Sequence, residues 1–184
     1  MRAFDRFQLA AALFMFAFAS VCGAATTPDD AEYRIKAAFL YHFCNYVKWP
    51  AEAFETEDDP LVVGVAAPTS VVDRLQETVN GRLAQGRPVS IRRIQSGDSL
   101  DGLHVLYIAN RANANVVNLR AANTRALLTI TESADGLESG GVINFIIEDD
   151  RVRFDVAPGI ARERDLDISA QLLTVARNIK GNAG

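Results

Sequence analysis

The chain is short of the side chains that most enzymes use for chemistry. Its 184 residues include two histidines, His42 and His104, and two cysteines, Cys22 and Cys44. No CxxC, HExxH, GxSxG, GxGxxG or P-loop spacing occurs, which removes the usual signatures of thiol redox, zinc hydrolysis, serine hydrolysis, dinucleotide binding and nucleotide phosphate binding. A hydrolase built on a nucleophile and a base would need a histidine or lysine beside a serine or cysteine. His42 and Cys44 are two apart on a predicted helix, so their side chains diverge. His104 borders the apolar run LHVLYIA and reads as a hydrogen-bonded structural residue. Cys44 lies on an apolar helix side and reads as a small buried hydrophobe, not a reactive thiol.

Metal and phosphate sites lack sequence support as well. Neither Glu55 to Asp59 nor Glu148-Asp149-Asp150 has the Asp/Asn/Gly spacing that converges six or more oxygens on calcium. The first reads as a solvated loop and the second as a hairpin turn, where Asp is favoured for its local backbone bonds. Ser139-Gly140-Gly141 precedes a strand, so it lacks the helix N-terminus that makes a glycine loop a phosphate cradle. The expectation is a protein that is not an enzyme and carries neither cofactor nor metal.

Long basic runs are missing too. The nearest are Arg92-Arg93 and the alternating Arg151/Arg153, which read as solvated strand faces. With 19 Lys and Arg against 23 Asp and Glu, the chain is a poor candidate for nucleic acid. Arg2 and Arg6 precede an apolar run from Leu9 to Ala19, followed by small residues Cys22-Gly23-Ala24-Ala25, the order of a secretory signal peptide. That run is too short to span a bilayer. Residues 1–25 are therefore expected to be cleaved, leaving a mature domain of residues 26–184 with no direct membrane insertion. A lipoprotein acylated at Cys22 is the weaker reading, because bulky Val21 stands where a small residue is expected. The mature chain would keep 17 basic and 22 acidic residues, a net charge of −5, and Cys44 alone. Without an internal disulfide its stability must come from its core.

What the chain has is apolar patterning. Ala31 to Pro50 (AEYRIKAAFLYHFCNYVKWP), wound at 100° per residue, puts Asp30, Arg34, Tyr41, Asn45 and Lys48 on one narrow side and apolar residues almost everywhere else. Such a helix must be covered on more than one side, by its own domain or by a second protein. Trp49-Pro50 is read as its stop. Leu61 to Ala66 is a continuous apolar run, as in a strand buried on both faces. A helix follows with Val71, Val72, Leu75 and Val79, capped by Thr69 or Ser70 and ended by Gly81. Arg87 to Arg92 alternates after a proline, as an edge strand does. Leu103 to Ala109 is a second central strand, Asn115 to Ala122 a helix and Ala126 to Ile130 a third strand. Val142 to Ile147 and Val152 to Val156 read as a hairpin across a polar turn, with Arg151, Arg153 and Asp155 outward. Pro158 can open a short helix, and Ile168, Leu172, Val175, Ala176 and Ile179 stripe a last one, capped by Ser169 or Asp167. The fold class is α/β: a single-domain α/β sandwich of five or six strands, with a mostly parallel central sheet, a C-terminal antiparallel hairpin and flanking helices.

These segments, taken in order, resemble the YfiR/HmsC family of periplasmic regulatory proteins. FLYHFCNYVKWP is similar to the family's opening helix, PLVVGVAAP to its first strand and GRPVSIRRI to its edge strand. LHVLYIA resembles the strand that commonly carries a cysteine before its histidine, GGVINFIIEDDRVRFDV the hairpin and LDISAQLLTVARNI the last helix. Leu103 departs from the pattern where that cysteine would stand, so the family's redox control does not carry over. Ala170-Gln171 departs where many members have Ser-Lys after the serine.

The resemblance implies a regulator in the periplasm. Such proteins bind the periplasmic domain of an inner-membrane diguanylate cyclase and hold it inactive, lowering cyclic di-GMP and restraining biofilm formation; family members also form a homodimer. Tyr41, Asn45 and Lys48 on the polar side of the first helix, and Trp49 at its exit, are the candidate partner-binding residues, with Tyr and Trp favoured as anchors. The alternative is a periplasmic small-molecule sensor with a pocket around Lys48 and Trp49, acting on another receptor such as a histidine kinase. Mass spectrometry of a periplasmic fraction is expected to give a chain starting near Ala25 or Thr26; a full-length N-terminus or a diacylated Cys22 would refute that reading.

Overall fold

The computed structural model describes residues 28–109 and 126–181, with side chains from Ala31 onward. The expected signal segment, Cys22 and the helix expected at Asn115 to Ala122 lie outside these residues. The chain opens with α1 (Pro28–Tyr46) and a two-residue strand β1 (Val47–Lys48). A 3-10 turn (Ala51–Ala53) then leads into β2 (Leu61–Ala66), α2 (Thr69–Val79), β3 (Leu83–Ala84) and β4 (Arg87–Arg93). Next come β5 (Val105–Ile108), β6 (Leu128–Thr131), β7 (Ile143–Glu148) and β8 (Arg151–Val156). The chain finishes with α3 (Pro158–Glu163), β9 (Asp167–Ile168), α4 (Ala170–Val175) and β10 (Asn178–Ile179).

One sheet carries eight of the strands in the order β10-β8-β7-β6-β5-β2-β4-β3, and β1 with β9 forms a small second sheet. The long sheet is antiparallel at β7/β8 and β3/β4 and parallel elsewhere. The expected six strands are the six long ones, and two-residue strands too short for a pattern to register extend both edges. β2, β5 and β6 are almost entirely buried, as their continuous apolar runs require.

The larger core lies between one sheet face and the helices. Ala37, Leu40, Phe43, Cys44 and Val47 from α1 and β1 meet Val71, Val72, Leu75 and Val79 of α2 and the inward residues of β2, β5, β7 and β8. Phe43 is its centre, 5.0 Å edge-on to Phe154 and 5.6 Å from Phe145 between ring centroids. Cys44 is fully buried and its thiol is pushed up to about 12 by that burial, so the sequence reading of an inert hydrophobe holds. The opposite face buries a smaller cluster of Ala66, Ile94, Leu103, Leu106, Ile108 and Leu127. Gly64 makes room for it, since a Cβ there would sit 2.5 Å from Leu103 Cδ1.

Four local expectations are corrected. α1 stops at Tyr46, ahead of Pro50, because Val47-Lys48 pairs with Asp167-Ile168 as a strand. α2 has Pro68 at its N-cap without a side-chain cap. The last helix ends at Val175, because Arg177 N–H donates to Phe154 O and Lys180 N–H to Val156 O. These bonds draw residues 178–179 into the sheet beside β8, so Ile179 is exposed and not striped with Leu172. Ser169 does cap α4, its Oγ accepting from Leu172 N–H at 3.3 Å. Finally, Asp155 is buried, under Arg177, whose Nε donates to Oδ1 at 2.8 Å.

The hairpin turn has the tightest form. Glu148 pairs with Arg151, leaving Asp149 and Asp150 as a two-residue loop at φ of 50° and 56°, the left-handed geometry of a type I′ turn. Asp tolerates this conformation and glycine favours it. Asp150→Gly is expected to raise stability by roughly 0.5 kcal/mol and Asp150→Val to lower it by about 1–2 kcal/mol, read from denaturant melts; a stabilising valine would contradict the turn assignment.

Candidate functional site: the exposed face of the first helix

α1 is covered on the side facing the sheet and left open on the other. Along the open side Arg34, Ile35, Ala38 and His42 are exposed, with Tyr41 and Asn45 half-buried beside them. Arg34, Ile35, Ala38, Phe39 and His42 line a shallow groove of about 350 Å³. Tyr41 is fixed against the hairpin formed by β3 and β4. Its hydroxyl donates to Leu83 O at 2.9 Å, and the Arg82 guanidinium sits 5.0 Å from its ring centroid. Asn45 Nδ2 donates to Tyr41 O at 3.0 Å, and Gln85 Nε2 bonds Cys44 O at 2.7 Å and Val47 O at 2.6 Å, satisfying carbonyls at the helix end. The structure thus brings Tyr41 and Asn45 together and adds Arg82 and Leu83. Leu83 is 55% exposed, a large apolar side chain in solvent beside an aromatic and an arginine.

Lys48 is exposed in β1, across from Asp167. Trp49 is placed differently from the other three candidates. It is half-buried and its indole N–H donates to His104 O at 3.1 Å, so it braces the domain from inside. His104 is the other half of that brace. Its Nδ1 accepts from Val62 N–H at 3.1 Å, so Nε2, 2.9 Å from Ala53 O, carries the proton of a neutral ring. Phe54 stacks on it at 4.3 Å, and the Arg87 guanidinium lies 3.7 Å from the Phe54 centroid. Arg87 also donates to Thr56 O and Asp59 O. Asp59 accepts from Thr56 Oγ1 and from the Thr56 and Glu55 N–H groups, bonds that hold its carboxyl below the usual carboxylate range. The acidic loop is an ordered turn locked by its own aspartate, and His104 is structural, as its sequence context indicated.

The YfiR/HmsC-like family model matches residues 33–177. The chain belongs to the YfiR/HmsC-like family. A search of curated proteins gives no match. The family is one of periplasmic regulators of cyclic di-GMP signalling, and that is the general role of this member. The matched span begins at α1 and ends at Arg177. Among the described residues no helix is long and apolar enough to cross a membrane, and no group of three His, Cys, Asp or Glu is placed to hold a metal.

Besides Asp155, two buried charges of this YfiR/HmsC-like domain escaped the sequence reading. Lys36, 3% exposed, lies on the side of α1 that the helical wheel counted as apolar. Its ammonium sits 2.5 Å from Glu32 and 3.0 Å from Glu132, over the rings of Tyr33 and Phe145. The Tyr107 hydroxyl donates to the same Glu132 oxygen, and burial together with that carboxylate pushes the phenol well above its ordinary range. Arg164, also 3% exposed, bonds Leu127 O, Thr129 Oγ1 and Gly140 O. It ties the Gly140-Gly141 loop to the end of α3. A lysine one turn after a glutamate was the only sequence signal, and an i,i+4 pair is usually a solvated one.

His104 makes stability depend on pH with a definite sign. Burial, opposed by the hydrogen bond to Ala53, lowers its pKa from the ordinary 6.5. In that window the unfolded chain binds a proton that the folded chain refuses, so stability is complete above about 6.5 and is lost as pH falls through the folded value. Melting temperature is expected to drop from pH 7 to pH 5. His104→Gln, which keeps a donor for Ala53 O, should melt lower at pH 7 yet show a flatter slope; an equally steep slope would assign the effect elsewhere.

Proposed function

We propose that this protein restrains an inner-membrane diguanylate cyclase by binding its periplasmic sensor domain through the open face of α1, without catalysis of its own. The observation that carries the proposal is the cluster of Tyr41, Arg82 and exposed Leu83. Tyrosine and arginine are enriched among dominant interface residues, and Tyr41 is already held in one orientation by its bond to Leu83 O. Binding need only favour one conformation of the receptor to silence it. The alternative pocket for a small molecule around Lys48 and Trp49 has less support, since Trp49 is committed to His104 O.

Deletion of the gene is expected to raise cyclic di-GMP, and the rise should vanish when the cognate cyclase is deleted too. In titrations against the purified sensor domain, Tyr41→Ala should weaken binding by about thirtyfold, roughly 2 kcal/mol, while staying folded at the assay temperature with a lowered melting point. Lys48→Glu should weaken it as well, with a melting curve near the parent's. If both bind like the parent, the docking face lies elsewhere. If the parent binds no such domain, the small-molecule reading replaces this one.

A further inference from the structure

Charge is spread unevenly along the chain. From Tyr33 to Lys48 there are three basic residues and no carboxylate, and from Asn80 to Gln95 there are four arginines and no carboxylate. All other positions together hold twelve basic and twenty-three acidic residues. The fold sets these two acid-free segments against each other, through the bonds from Tyr41 to Leu83 O and from Gln85 to Cys44 O and Val47 O. Arg34 stands exposed near one end of the resulting face and Arg82 near the other, whereas Lys48 lies across from Asp167. The helix between Arg34 and Asn45 is about 16 Å long. Glu32, the nearest carboxylate on α1, is occupied by Lys36. The 350 Å³ groove lies on the same open side of α1, with Arg34 in its lining and Ile35 48% exposed in its wall, and Arg82 stands at the ring of the neighbouring Tyr41.

Opposed potentials steer two proteins together and reject partners of like sign. A recess with an apolar lining, with one arginine in its wall and a second on the adjoining hairpin, matches a helix that carries carboxylates beside its apolar side chains. An anionic bilayer would instead call for apolar tips projecting to one plane among many basic residues, and here the apolar element is a groove. A nucleic-acid backbone would meet the strongly acidic remainder of the chain. We infer that the α1 groove and the β3–β4 hairpin form a docking site for an acidic amphipathic segment of a partner protein. Its apolar side chains seat on Ile35, Ala38 and Phe39, and its carboxylates face Arg34 and Arg82. The inference deepens the binding role proposed above by naming the chemistry of the partner's contact, and it rests on that reading only for which protein supplies the segment.

The test titrates isotopically labelled mature protein with a short helical peptide of leucine and glutamate, its leucine and lysine counterpart, and vesicles containing phosphatidylglycerol. The acidic peptide should shift amide resonances of residues 34–48 and 82–85, and its affinity should fall on raising salt from about 50 to about 500 mM. The double variant Arg34→Glu/Arg82→Glu should lose roughly tenfold or more in affinity, while Arg153→Glu, on the exposed face of the β7–β8 hairpin, should bind like the parent. Ile35→Ser provides a second probe of the groove that changes no charge, and it too should weaken binding. Equal binding of both peptides, shifts confined to other residues, or binding to vesicles without binding to the acidic peptide would overturn the inference. Peptide binding combined with unchanged cyclic di-GMP on gene deletion would leave this site standing and remove the cyclase; the reverse pair of results would do the opposite.

Discussion

The structure depends on burying one side of α1 against the sheet. Phe43 and Phe39 interlock with Phe145 and Phe154, and each aromatic pair of this kind adds about 0.5–1.5 kcal/mol beyond the area it removes from water. The same burial takes Lys36 with it. A lone ammonium there would be prohibitively costly, which is why Glu32, Glu132 and the Tyr107 hydroxyl gather around it. Removing one partner of such a buried pair costs about 3–5 kcal/mol. The cluster therefore fixes how far along the sheet α1 can sit, because only one placement puts Lys36 above the end of β6.

Fixing α1 in this way also fixes what it shows to solvent. The open face is set by the buried one, and the neighbouring hairpin is clipped to the helix end by Gln85 and Tyr41. Such a stiff surface suits the binding role proposed above, since side chains already ordered before binding lose little entropy when a partner arrives. The charged latches elsewhere keep the platform whole. Arg177 binds Asp155 and Glu148 and closes the β8 edge with β10, and Arg164 holds the loop before β7 to α3. Stiffness is thus concentrated in arginine and lysine contacts in a chain that has no disulfide among its described residues.

The α/β class, the buried central strands, the β7–β8 hairpin and the structural parts played by His104 and Cys44 were legible in the sequence. Each follows from local chemistry: continuous apolar runs, alternation with period two, a polar turn between strands, and the absence of any spacing that catalysis or metal binding requires. Tyr41 and Asn45 as polar positions of α1 were legible by the same helical period. Only the tertiary structure decided the rest. Whether residues 47–48 and 178–179 continued helices or became strands was set by hydrogen-bond partners far away in the chain, at Asp167-Ile168 and along β8. Lys36, Asp155 and Arg164 looked like solvated charges, because a local pattern cannot show that Glu132, Arg177 or Gly140 will arrive to pair with them. That Arg82 and Leu83 lie beside Tyr41, and that Trp49 bonds His104 O, escaped the sequence for the same reason: propensity and periodicity reach a few residues, whereas burial and charge pairing are settled by whichever distant segments the sheet brings into contact.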